Sequence, residues 1–223
     1  MNNTLAHLPP VAVRHGQEFA PPLNAASGGR LEIVPGASRV TIAGNPALTD
    51  LCRIHFDGEA PQVQADAGVV TLRYPRHSVI NWLTDLLAAN DSAASIALNG
   101  AIPWRIEVGG GASRFSANLK ALRLEALRIE GGASQVELTL PRPVGVVAVR
   151  IGGGASRLTI ERPHGVAARL RVRGGASQLT VDEQYTAARG GEVRWQNADF
   201  LTATDRYEIE IAGGASDFVL GTW

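Results

Sequence analysis

A Gly-Ala-Ser turn recurs along this chain and is the feature that most restricts its fold. The alanines of its six copies are Ala37, Ala112, Ala133, Ala155, Ala176 and Ala215. Four successive copies are separated by 21, 22 and 21 residues. A nearly fixed period is typical of architectures in which a short structural unit is stacked on copies of itself.

Apolar and polar residues alternate on both sides of each turn. In one copy Leu127 and Ile129 precede the turn with Arg128 between them, and Val136 and Leu138 follow it. A period of two is that of a β-strand, so each copy is predicted to be strand, tight corner, strand. Glycine tolerates positive φ at such corners. The glycines expected to do so are Gly111, Gly132, Gly154, Gly175 and Gly214.

The repeat predicts an all-β, single-domain β-solenoid, a β-helix-like stack of about nine coils of about 21 residues each. Consecutive coils should stack in register, because the units bury their apolar faces only against each other. Two of the predicted coils lack Gly-Ala-Ser and turn at residues 66–68 and 197–199. The solenoid is predicted over residues 28–223, after a proline-containing N-terminal arm, residues 1–27, that is extended or poorly ordered.

A break in the period-two pattern predicts one short helical insertion at about residues 78–90. Ser78 can cap its N-terminus and Asn90 can end it. The apolar stripe of this helix consists of Val79, Ile80, Trp82, Leu83, Leu86 and Leu87. We expect the helix either to cover part of the solenoid or to dock a partner, a second subunit or a membrane surface.

The corners and two further segments resemble the bacterial toastrack-type, adhesin-like domains, a family of largely unknown function. The two segments are residues 102–106, Ile-Pro-Trp-Arg-Ile, and residues 140–143, Leu-Pro-Arg-Pro. The resemblance covers about residues 28–223 and implies a domain without catalytic residues. Similar domains occur in proteins of cell-envelope stress sensing, often next to transmembrane helices.

Composition restricts the partners and the compartment. The chain carries 21 basic and 21 acidic side chains, and this balance argues against nucleic acid as a partner. No segment is long and apolar enough for a membrane span, and the first residues do not resemble a signal peptide, so a cytoplasmic protein is expected. The single cysteine, Cys52, excludes an internal disulfide and is expected to be a small buried residue.

No group of residues predicts catalysis, and the chain is expected not to be an enzyme. The five histidines have no paired spacing, so neither a metal site nor a cofactor is expected. Among the acids, Glu137 and Asp182 both follow corners but are out of register, unlike the carboxylate pair of a glycosidase. A serine that recurs at one corner position is a turn former rather than a nucleophile.

Arginines supply the candidate binding face. Arg128, Arg150 and Arg171 occupy the same outward position in three coils, and Arg114 and Arg157 belong to a second outward row beside the corners. These residues would bind an anion or a protein partner. The alternative is a solvated face on which neighbouring glutamates offset the repulsion.

We therefore expect a non-enzymatic scaffold or binding module that mediates protein–protein interaction or self-assembly. The alternative is a carbohydrate-binding domain or a regulatory domain that senses an anionic ligand. Because the ends of a solenoid expose ladder groups, a homo-oligomer, most simply a dimer, is also expected. Phe218, Leu220 and Trp223 are expected to form an apolar patch at the C-terminal end.

Overall fold

The computed structural model describes residues 11–12, 18–34, 37–57, 61–74 and 93–223. They form twenty β-strands, and this part of the chain contains no helix. The all-β prediction is confirmed. The helical insertion predicted at about residues 78–90 lies outside the described residues.

The twenty strands are numbered in chain order. The first ten are β1 Val11–Ala12, β2 Glu18–Phe19, β3 Gly29–Val34, β4 Ala37–Asn45, β5 Cys52–Asp57, β6 Gln62–Asp66, β7 Val69–Arg73, β8 Ala93–Asn99, β9 Pro103–Val108 and β10 Ala112–Asn118. The others are β11 Arg123–Ile129, β12 Ala133–Thr139, β13 Val146–Ile151, β14 Ala155–Arg162, β15 Ala167–Val172, β16 Ala176–Val181, β17 Gln184–Arg189, β18 Val193–Gln196, β19 Arg206–Ile211 and β20 Ala215–Thr222.

The strands build two ten-stranded sheets around one apolar core. The first sheet has the order β1-β6-β7-β3-β9-β11-β13-β19-β15-β18, and the second has the order β17-β16-β20-β14-β12-β10-β4-β8-β5-β2. Each Gly-Ala-Ser corner joins a strand of the first sheet to a strand of the second. Neighbouring coils pair parallel and in register, so that Ala112 pairs with Ala37 on one side and Ala133 on the other.

Six coils with a Gly-Ala-Ser corner are stacked, fewer than the nine predicted. The prediction of two further coils without this corner, turning at residues 66–68 and 197–199, is wrong. β6 and β7 form an antiparallel hairpin whose turn residues, Ala67 and Gly68, both have positive φ. β17 and β18 pair antiparallel with β16 and β15. Antiparallel strands therefore end the parallel stack on both sides, and at the N-terminal end β1 and β2 pair with β6 and β5.

The last coil of the sequence is not the last coil of the stack. β19 lies between β13 and β15, and β20 lies between β14 and β16. The prediction that consecutive coils stack on one another is thus wrong for the last coil. Phe218 and Leu220, which the sequence placed at an exposed end, are fully buried. Trp223 is 44% exposed and donates its indole N–H to the Leu140 carbonyl at 3.1 Å.

Charge pairing favours this insertion. Direct stacking of β15 on β13 in the shared register would place Arg171 beside Arg150. Instead Glu210 pairs in register with both arginines, and Glu208 lies 2.8 Å from Arg169. Opposite charges on neighbouring strands are favourable and like charges are unfavourable. The acidic β19 therefore fits between two strands that carry arginine.

The corner glycines are required for close approach rather than for positive φ. Of the five predicted glycines only Gly175 has a positive φ, +85°, so the prediction is wrong for the other four. Positive φ belongs instead to the residue after the serine, which is Arg39, Arg114, Gln135, Arg157, Asp217 or Gln178. A Cβ atom on Gly153 would lie 2.7 Å from the Gly132 nitrogen. Adjacent coils therefore touch through backbone at the corners.

Candidate functional site

The first candidate surface is the outward central row of the first sheet, here called the charged row. In register across the sheet it consists of Glu32, Glu107, Arg128, Arg150, Glu210, Arg171 and Arg194. The expected run of three stacked arginines is wrong, because Glu210 separates Arg171 from Arg150. The row changes from acidic at the N-terminal end to mostly basic at the C-terminal end.

Glutamates hold much of the basic half of the charged row. Glu192 binds Arg194 at 2.6 Å and also contacts Arg171, while Arg173 pairs with Glu210. The hydrogen bonds from Arg194 and Arg171 lower the pKa of Glu192, so this carboxylate stays ionised. Exposed ion pairs of this kind contribute little to stability. Glutamates on this surface therefore neutralise much of its positive charge, which does not favour an open anion-binding site.

Arg114 and Arg157 lie on the other sheet. They belong to β10 and β14, at the left-handed position after the corner serine. The residues on both sides of Arg157 pair with those on both sides of Gln135 and of Asp217, which places Arg157 between these two residues. The five arginines predicted as one candidate face are therefore divided between two sheets, and the structure brings only Arg128 and Arg150 together as neighbours.

The second candidate surface is an apolar cavity of about 680 Å³ at the N-terminal end of the stack, here called the end cavity. It lies between the segment that follows β2 and the β6–β7 hairpin. Its apolar lining comes from Phe19, Pro21, Pro22, Leu23, Ala25, Leu51, Val63 and Ala65, and its polar lining includes Asn24, Ser27, Gln64 and Asp66. Sequence reasoning missed this cavity, because its walls are brought together by strand pairing between distant segments.

The walls of the end cavity are anchored to the core. Leu51 and Val63 are buried, and the Leu51 N–H donates to the Pro21 carbonyl at 2.9 Å. Pro22 forms a β-bridge with Asp50. The one sequence signal of the cavity was the Pro-Pro-Leu run at residues 21–23, in a segment predicted to be an arm.

Cys52 sits in the core beside the end cavity and is fully buried. Burial, together with the nearby Asp50 carboxylate, raises the pKa of its thiol to about 12. The thiolate is the nucleophilic form of cysteine, so this side chain is inert in the folded state. Across the described ranges, no group of three or more histidine, cysteine or acidic side chains could hold a metal ion.

The native thiol is therefore expected to react at least about 100-fold more slowly with a disulfide reagent at pH 8 than the thiol of the protein unfolded in guanidinium chloride. Absorbance of the released chromophore measures both rates. Because Cys52 is the single cysteine, the signal needs no assignment. Equal rates would contradict its burial.

A two-sheet stack of parallel coils, joined by Gly-Ala-Ser corners and ended by antiparallel strands, defines the class of this protein. The family described as the N-terminal domain of toast_rack, DUF2154, matches residues 24–161, which is more than half of the chain. The chain belongs to this family, and the resemblance seen in the sequence is confirmed. The matched region ends just before Arg162, so β15–β20 lie beyond it.

One solved structure is similar over almost the whole length. It is the crystal structure, at 1.95 Å resolution, of a candidate cell adhesion protein from Clostridium sporogenes ATCC 15579. The TM-score is 0.71 at 19% sequence identity, and the alignment covers 93% of this chain and 98% of that chain. At this identity the likeness shows the fold. No curated protein matches the sequence.

No helix among the described residues is long and apolar enough to cross a membrane.

Proposed function

We propose that this chain is a non-enzymatic binding module that holds a protein partner in the end cavity of a rigid stack. The observation that carries the proposal is the cavity itself, with a volume of about 680 Å³ and a mainly apolar lining. Binding sites are typically concave, apolar and about 300–1,000 Å³ in volume, with a few polar groups that fix orientation. A binding or scaffold role also agrees with membership of the toast_rack family.

The cavity is suited to an apolar side chain presented by a polypeptide. Proline and phenylalanine form one wall, and Leu51 and Val63 form the floor. Gln64 and Asp66 also lie among the lining residues, so the lining is not wholly apolar. Because the floor belongs to the core and the Pro21–Leu51 hydrogen bond fixes the wall, little conformational entropy is lost on binding.

The absence of catalysis is part of the proposal, and the state of the carboxylates supports it. Glu107, Glu125 and Glu208 each lie within 2.8 Å of an arginine nitrogen. The lowered pKa of Glu192 is opposite to the raised pKa that a general acid needs near neutral pH. These carboxylates therefore act as partners of arginine on the surface of the sheet.

A glycan partner is the alternative, and the aromatic side chains favour a protein instead. Sugar-binding faces use exposed rings, whereas Trp104, Phe115, Phe200 and Phe218 are fully buried. Trp104 donates its indole N–H to the Asn99 carbonyl at 2.8 Å inside the core. The rings mainly fill the stack.

Ala25→Trp should block the end cavity without unfolding the protein, because Ala25 is exposed and lines the cavity. In quantitative pull-downs from extracts of the native host, we expect recovery of the specific partner to fall by about tenfold or more, the loss expected when an anchor residue is excluded from its pocket. The melting temperature should stay within about 2 °C of the wild type, as for an exposed substitution.

Ala212→Trp is the matched control, since Ala212 is also exposed but lies at a Gly-Ala-Ser corner. It should retain the same partner as the wild type. Equal recovery with all three proteins would exclude the end cavity as the binding site. Turnover of a glycan or ester substrate by the purified chain would contradict the non-enzymatic assignment.

A further inference from the structure

The four strands that end the two sheets differ in length. β1 and β2 have two residues each and β18 has four, whereas β17 has six. Natural proteins shorten or cover edge strands, because unpaired backbone groups invite pairing with another chain. Among the described residues, no strand pairs with the outer edge of β17. β17 is the edge on which this protection is least developed.

The composition of β17 favours pairing. Its sequence is Gln-Tyr-Thr-Ala-Ala-Arg, with one charged residue and neither proline nor glycine. Five of its six residues are exposed, and Tyr185 is 64% exposed. Proline, lysine and inward-pointing charges are the usual means of preventing edge pairing, and β17 has none of them.

The hairpin that leads into β17 determines which backbone groups face outward. Asp182 and Glu183 both have positive φ, as in a two-residue hairpin turn, so that Val181 and Gln184 form its closing hydrogen-bonded pair. Every second residue then bonds to β16. The backbone groups of Tyr185, Ala187 and Arg189 point away from the sheet.

We propose that β17 pairs antiparallel with β17 of a second copy of this chain, forming a symmetric dimer with one continuous sheet. A two-fold axis at Ala187 places this residue opposite its own counterpart. Tyr185 then lies opposite Arg189 of the partner subunit, which allows a cation–π contact. No like charges are opposed in this register, so the edge is complementary to itself.

The dimer leaves the proposed binding site free. β17 and β18 form one end of the stack, whereas β1 and β2 lie at the other end, beside the end cavity. Two end cavities would therefore point away from each other in the dimer. A bivalent module gains avidity for a partner that is itself repeated. The dimer does not depend on the proposed function, because each uses a different end.

Opposite charges introduced at Ala187 test the interface. Sedimentation velocity of the full chain should show a dimer for the wild type at micromolar concentration. Ala187→Asp and Ala187→Lys should each raise the dimer dissociation constant by about tenfold or more, because like charges meet at the axis. An equimolar mixture of the two variants should form the heterodimer. Ala212→Asp, an exposed control, should remain dimeric.

Melting temperatures measured at protein concentrations below the dimer dissociation constant should match the wild type for every variant, since Ala187 is exposed in the single chain and dimerisation then adds no stability. Ala25→Trp should also stay dimeric, which separates failure of the dimer from failure of the end cavity. A wild type that stays monomeric to about 200 µM, well above the micromolar affinity of ordinary specific complexes, would overturn the proposal, even if β17 paired with an extended peptide from another protein. Dimers of Ala187→Asp as stable as the wild type would place the interface elsewhere and also overturn it.

Discussion

Gly153→Ala is expected to lower the free energy of unfolding by about 2–3 kcal/mol, although it adds a single methyl group. The new Cβ atom would lie 2.7 Å from the nitrogen of Gly132 and 2.9 Å from the carbonyl carbon of Gly131. These backbone atoms cannot move aside freely, because the Gly153 N–H donates to the Gly131 carbonyl at 2.9 Å. Relief of the clash therefore separates two coils at the corner.

Gly154→Ala is the matched control. Neither glycine has positive φ, so the comparison isolates the steric effect. The nearest atom to a Cβ on Gly154 is the Gly214 carbonyl oxygen at 3.3 Å. We expect a change below about 1 kcal/mol, since reduced entropy of the unfolded chain offsets the slight crowding. Urea unfolding gives both values, and an equal loss for the two variants would refute the close-approach explanation.

Arg162 is the most buried charged side chain among the described residues, with 2% of its surface exposed. Its guanidinium donates to both carboxylate oxygens of Asp182, at 2.8 and 2.5 Å. It also donates to the Gly221 carbonyl at 3.1 Å and the Val166 carbonyl at 3.0 Å. One side chain of β14 thus reaches across β20 to the turn after β16. These contacts of Arg162, here called the clasp, hold the inserted coil in place.

Arg162→Met should destabilise the protein by about 3 kcal/mol, the usual cost of breaking a buried, hydrogen-bonded ion pair. Asp182 would then keep its positive φ of 43° without its arginine partner. Arg142→Met, at an exposed arginine, should change stability by less than about 0.5 kcal/mol.

Hydrogen exchange locates the effect of Arg162→Met. Backbone amides of β20 should exchange faster than in the Arg142→Met control, while those of β10 and β12 should change less. Stability of the Arg162→Met variant within about 1 kcal/mol of the wild type would show that the clasp contributes little. Uniform acceleration in every coil would show that it does not act on the insertion.

The clasp also positions the proposed dimer edge. Asp182 is the first residue of the hairpin turn that leads into β17. The contacts that hold the last coil in place therefore fix the start of the strand offered to a second copy. All of these residues lie beyond the region matched by the family, which ends at residue 161.

Much of the coil architecture could be predicted from the sequence because it depends on local patterns. The alternation of Leu127, Arg128 and Ile129 places two side chains in the core and one outside, as the structure shows. The aligned Gly-Ala-Ser corners indicate which residues lie above one another, such as Ala112 and Ala133. The family resemblance followed from the same repeats and from two further segments, residues 102–106 and 140–143. The candidate sites were harder to predict from the sequence, because they depend on which strands become neighbours.

The positions of positive φ illustrate a local detail that residue type alone did not reveal. Glycine was the natural choice, yet Gln135 and Arg157 adopt the left-handed conformation. Glycine is needed four residues before these positions, where Gly131 and Gly153 come into backbone contact across coils. That contact exists only after the coils are stacked, so tertiary packing decided it.

The sequence by itself determined the coil, with its two strands, its corner and its inward-facing apolar rows, since these follow from the period-two pattern and the repeat. Only the tertiary structure decided the order of the coils. Coils with equivalent corners and apolar rows can stack on one another in several orders, so the repeat leaves their order open. Complementarity between distant residues favours one order, as when Glu210 lies between Arg150 and Arg171. The end cavity and the open edge of β17 follow from that order, because they lie where the stack ends.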